Sequence, residues 1–93
     1  MSRSIEHNTA EKRFQWLEDG QLCVLDYELH GDVMIITHTG VPEAVGGRGI
    51  AADLARTALD TARARGWKVR PLCSYVDAWM RRQRGGYDDL LAS

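Results

Sequence analysis

The chain has 93 residues, 44% of them hydrophobic and 27% charged, with a formal net charge of −1. That is enough for one domain, spanning residues 1–93, with a modest core, and the near-zero charge gives the whole molecule no nucleic-acid-binding signature. No stretch is long and apolar enough to suggest a membrane span, and Met1–His7 carries no apolar signal core, so the expectation is a cytoplasmic protein. Cys23 and Cys73 lie far apart, without CxxC or metal-ligand spacing, and are read as free thiols.

The first third reads as strands. Phe14 and Trp16 sit in a polar segment that stops at the turn signal Asp19-Gly20. From Leu22 to Leu29 the residues Cys23, Leu25, Tyr27 and Leu29 alternate with Leu22, Val24, Asp26 and Glu28, the period of a half-buried strand. His30-Gly31-Asp32 is a tight connection. Val33–Thr39, rich in β-branched residues, completes an antiparallel meander.

After Val41-Pro42 the pattern changes. Gly49–Arg65 reads as a helix, with Ile50, Leu54, Ala58 and Ala62 in one stripe, Ala51, Ala55 and Leu59 beside it, and Asp53, Arg56, Asp60 and Arg63 outward. Gly66 terminates it. Trp67–Cys73 fits another strand, with Pro71 near its end because proline cannot donate to a ladder. Ser74 is the expected cap of a second helix, with Asp77 three residues on. That helix turns Tyr75, Val76, Trp79 and Met80 inward and ends at Gly85-Gly86. Tyr87, Leu90 and Leu91 form a docking tail. The order β-β-β-α-β-α predicts an α+β fold, an α/β sandwich with helices on a mostly antiparallel sheet.

Charge is unevenly spread. Residues 1–32 hold seven acids and three bases, whereas residues 63–84 hold seven bases and one acid. This is either a solvated surface or a local positive field for an anionic ligand.

The most informative segment is Gly46-Gly47-Arg48-Gly49-Ile50-Ala51. A helix start leaves backbone N–H groups unpaired, and its dipole attracts anions. Glycines let a diphosphate approach the backbone, and Arg48 adds a positive charge. Neither G-x-x-x-x-G-K-S/T nor G-x-G-x-x-G is present.

Together, Val41-Pro42-Glu43 and Gly46–Ala51 resemble the Q/R-x-x-G-x-G/A motif of the GNAT superfamily of N-acetyltransferases. Gly49 and Ala51 match its last two fixed positions, while Gly46 stands where Gln or Arg is usual. His38-Thr39-Gly40-Val41-Pro42 and Pro71-Leu72-Cys73-Ser74-Tyr75 resemble the H-T-x-V-P and P-x-C-S-Y segments of the short yjdJ-type members. The similarity runs from about Phe14 to Leu91, and it departs at Arg84-Gly85, where His-Pro is common. The resemblance implies a GNAT-like fold that binds acetyl-CoA between two splayed strands, with a strand bulge near Val41-Pro42. It also implies that much of the terminal structure closing the usual acceptor site is missing.

The resemblance gives Thr39, Val41, Gly46, Gly47, Arg48, Gly49, Ile50, Ala51 and Tyr75 as CoA-binding candidates. Cys73, just before a helix start where thiolates are favoured, is the expected nucleophile. His38 is either a base or a hydrogen-bonded structural histidine. Glu43 is a further base or an exposed loop carboxylate. Tyr75 either donates a proton to the leaving thiolate or packs. Cys23, on an apolar strand face, reads as core. Arg70, Arg81 and Arg82 are candidates for the cofactor's ribose phosphate. The expected activity is acetyl-CoA-dependent transfer to an unknown amine. The alternatives are a CoA-binding module without transfer and a protein-interaction domain.

Overall fold

A computed structural model describes residues 3–92. It contains a five-stranded sheet in the spatial order of the chain: β1 (Glu6–Asn8), β2 (Arg13–Glu18), β3 (Gln21–His30), β4 (Val33–Gly40) and β5 (Lys68–Pro71). The first four strands pair antiparallel, and β5 joins β4 in parallel. Helix α1 (Ile50–Ala64) makes the crossover between β4 and β5, and α2 (Ser74–Arg82) follows β5. The architecture is therefore α+β, with one strand more than expected. The three residues of β1 carry no alternating apolar pattern, so their sequence gives no strand signal.

The hairpins follow from local chemistry. Asp19 and Gly20 both adopt positive φ, 50° and 77°, and Glu18 pairs with Gln21 across them. Two left-handed residues match the right-handed twist of the flanking strands. The end of α1 is a Schellman turn: Gly66, at φ 71°, donates to the Arg63 carbonyl and Trp67 donates to that of Ala62.

Alternation along the strands divides the sheet into two faces. Phe14, Cys23, Leu25, Tyr27, Met34, Ile36 and Val69 are buried on one. The α1 stripe, Ile50, Leu54, Ala55, Ala58, Leu59 and Ala62, packs on it, and α2 adds Val76, Trp79 and Met80 to the same core. The opposite face meets solvent with Val24, Asp26, Ile35 and Arg70, an arrangement open to antiparallel sheets. Leu17 and Leu22, register partners on that face, are 64% and 45% exposed.

Three expectations need correcting. The bulge is not near Val41-Pro42. It lies at Thr37, because Asp26 pairs with His38 while the next residue, Tyr27, pairs with Ile36. Ser74 is the first helical residue of α2 rather than its cap. Cys73, in extended conformation, takes the cap position, and its carbonyl accepts from Asp77 N–H. In the tail, Leu90 is buried and the Tyr87 ring packs tilted against Trp79, but Leu91 stays 43% exposed and joins the sheet edge through a backbone bridge to Val69.

Leu54 is fully buried under the sheet. Leu54→Ala is therefore expected to lower unfolding free energy by about 2–5 kcal/mol in urea denaturation. Leu17→Ala, on the open face, is expected to change it by less than about 0.5 kcal/mol.

Candidate active site

Strands β4 and β5 part at one position. Ile36 and Pro71 are their last register partners, and the Ile36 carbonyl accepts from both Leu72 N–H and Cys73 N–H, each at 3.0 Å. Pro71 has no N–H, so it cannot extend the ladder. Beyond this point β4 continues to Gly40 alongside β3, while the chain after β5 turns into α2. The strands separate here, and the resulting opening has Thr39 and the end of β4 on one side and Cys73 on the other.

The bulge decides what faces that opening. With strict alternation, Ile36 and Thr39 would lie on opposite faces. The extra residue, Thr37, resets the alternation, so Thr39 stands opposite the buried Leu25. Thr39 Oγ1 then lies 3.5 Å from Cys73 Sγ. His38, paired with Asp26, is turned to the exposed face instead. The structure thus brings Thr39 to Cys73 and leaves His38 on the other side of the sheet.

Cys73 is half-buried, and burial alone would raise its pKa. Hydrogen bonds from the Thr39 hydroxyl, from the Val76 and Tyr75 N–H groups at the start of α2, and from the Thr39 backbone outweigh burial and lower it. Cys23 has the opposite environment. It is fully buried beneath the helices, and desolvation raises its pKa. Tyr75 is half-buried, and burial likewise raises its pKa, against the opposing fields of Arg82 and Arg56.

The second part of the site is the turn before α1. Val45 is buried and anchors a short 3₁₀ turn, Glu43–Val45, from which Gly46 departs extended. Glu43 is exposed there. Gly47 and Gly49 have φ of 78° and 81°, a region in which a Cβ is strained although open space surrounds both positions. The N–H groups of Gly47, Arg48, Gly49, Ile50, Ala51 and Ala52 have no hydrogen-bond acceptor among the described residues. Six successive amides at a helix N-terminus suit a diphosphate.

The arginines are arranged in ways their spacing does not disclose. Arg48 turns back to Glu18 and Asp19 in the β2–β3 turn, at 3.1 and 2.8 Å. Arg63 pairs with Asp89 and Arg81 with Asp77. Arg70 is exposed on β5, on the open face. Arg82 and Arg56 oppose the effect of burial on Tyr75. Sequence reasoning missed Arg3, whose guanidinium reaches the first turn of α1 and the Arg48 carbonyl. A groove of about 160 Å³ lined by Ser4, Glu6, Gln15, Trp16, Leu17 and Leu22 shares no residue with this cluster.

Comparison with known proteins follows the same outline. A family model described as GCN5-related N-acetyl-transferase matches residues 13–90. Protein NATD1 of Mus musculus is 34% identical over 80 residues, covering 83% of this chain and 73% of that protein. Protein NATD1 of Danio rerio is 32% identical over the same length, with the same coverage. The solution structure of a GCN5-like protein from Staphylococcus aureus superposes with a TM-score of 0.73 at 25% identity, covering 97% of this chain and 88% of that one.

The hydrogen bonds on Cys73 make a pH prediction. A lowered pKa keeps the thiolate present to lower pH, so the midpoint of iodoacetamide alkylation should fall below that of an ordinary thiol. Thr39→Val removes one donor and should move the midpoint up, while Thr39→Ser should leave it near the wild-type value. Peptide mapping of the alkylated protein checks that Cys73 and not buried Cys23 is modified.

Proposed function

The chain belongs to the GCN5-related N-acetyltransferase family, and we propose that it transfers an acetyl group from acetyl-CoA to an amine through Cys73. The observation that carries the cofactor reading is the run of acceptor-free amides from Gly47 to Ala52. These would take the diphosphate, and Thr39, Val41 and Tyr75 would line the path of the thiol arm toward Cys73. When bound, acetyl-CoA supplies an activated acyl group.

Cys73 is the nucleophile in this reading. Its thiolate forms a bond to the acyl carbon as the bond from that carbon to the CoA sulfur breaks, and CoA departs as its thiolate. N–H groups near Val41 polarise the carbonyl oxygen. Tyr75, kept protonated by burial, donates a proton to the leaving thiolate. An acceptor amine then attacks the Cys73 thioester, forming the amide and restoring the Cys73 thiolate. The proton that the amine gives up restores the Tyr75 phenol, and His38, on the other face of the sheet, takes no part.

A second reading, a CoA-binding module without transfer, draws support from Gly46, which contributes no side chain to the turn. Two measurements separate the readings. Calorimetry with CoA should give saturable binding, and no heat at millimolar ligand would remove both. Incubation with acetyl-CoA followed by intact-mass analysis should show one acetyl adduct that disappears in Cys73→Ala. Turnover retained in Cys73→Ala would instead assign direct attack by the amine. Binding without adduct or turnover over a broad amine panel would leave the binding module.

A further inference from the structure

We propose that Arg3 is a positioning residue for the anion-binding turn, holding the Arg48–Gly49 peptide with its N–H turned outward. The proposal rests on the cofactor reading of that turn. Arg3 is 50 residues away in sequence from Asp53, yet its Nη1 donates to the Asp53 carboxylate in the first turn of α1. Its Nη2 donates to the Arg48 carbonyl at 2.9 Å. Its Nε lies 3.6 Å from Glu18, and the side chain is only 19% exposed. Glu18 also accepts from the Trp16 indole at 2.7 Å and from Arg48 at 3.1 Å. These bonds from the Trp16 indole and Arg48 hold its carboxyl below the usual range against the effect of burial, with Arg3 adding to them. One network therefore joins the amino-terminal segment, the β2–β3 turn and the start of α1.

The carbonyl contact matters because a peptide is planar. The C=O of Arg48 and the N–H of Gly49 lie in one plane and point in opposite directions within it. When Arg3 holds the oxygen, the Gly49 N–H is directed away from Arg3. Glycines at 47 and 49, both at positive φ, flank Arg48 and make the peptides here easy to flip. Arg3 removes that freedom. It also offsets a second difficulty. Asp53 places a carboxylate in the turn where a diphosphate would sit, and Arg3 and Arg56 both bond to it. Burial pushes the Asp53 pKa up, but these two arginines outweigh it and keep the group ionised as part of the brace.

Without Arg3, Asp53 keeps Arg56 and Glu18 keeps Arg48, so neither carboxylate is stranded and the loss should act on binding more than on folding. The test uses the full chain, labelled with ¹⁵N, as wild type, Arg3→Ala and Arg3→Lys. Each is titrated with CoA and with pantetheine, which lacks the diphosphate, while amide shifts are followed. Arg3→Ala should weaken CoA by about five- to tenfold, the scale of one lost hydrogen bond. Pantetheine binding and thermal midpoint should stay near wild type, and Arg3→Lys should recover part of the CoA affinity. Equal CoA affinity in wild type and Arg3→Ala would overturn the proposal, as would parallel loss of CoA and pantetheine. If wild type itself binds no CoA, the cofactor reading fails, and the brace is judged on the ligand-free spectra. Heteronuclear NOE values for Gly47–Ala51 should then drop in Arg3→Ala, and unchanged values would refute it.

Discussion

One carbonyl oxygen organises the functional end of this protein. Ile36 accepts from two successive amides, Leu72 and Cys73, at the place where β4 and β5 stop pairing. The double acceptance ends the parallel ladder without leaving the incoming N–H groups unsatisfied, a requirement at half-buried backbone. Pro71 makes the stop local, since it offers no donor to carry the ladder on. The Cys73 half of the site follows from this parting. Cys73 is released from the strand to cap α2, and β4 runs on alone to present Thr39 and Val41.

The two halves of the site use different physics. At Cys73, short-range hydrogen bonds from a side chain and from a helix start outweigh burial and favour the anion. At the glycine turn, six amides without acceptors among the described residues and a helix N-terminus supply the positive potential, while the nearby guanidinium groups bond to the protein itself. Arg48 holds to the β2–β3 turn, and Arg3 holds to the peptide beside it. The chain thus uses guanidinium groups to fix where the backbone points.

Much of the fold was legible because it depends on local pattern. The alternation from Cys23 to Leu29 identified a strand with one buried face, and the Ile50–Ala62 stripe identified the crossover helix. Gly46–Ala51 and the Pro71–Tyr75 segment pointed to the candidate site. Features set by backbone register were not legible. No residue type marks Thr37 as a bulge, so the turning of His38 away from Cys73 had no signal in the sequence. Ser74 has the chemistry of a cap, but the chain enters α2 one residue earlier, and Cys73 fills the role with its backbone alone. Arg3 was invisible for another reason: an ion pair spanning most of the chain has no spacing rule, unlike pairs within one helix.

The neighbour relations in the sheet bear on the order in which the protein assembles. Strands β1 to β4 are joined by short turns, so their contacts are local and close early at small entropic cost. Pairing β5 with β4 closes a much longer loop that contains the whole α1 crossover, at a larger entropic cost. The opening lies on the seam between the early meander and the late strand. Cys73 and Thr39 arrive from opposite sides of that seam, so their contact is a late event in folding. A newly made chain therefore lacks the Thr39 hydrogen bond to its thiol until β5 has joined β4.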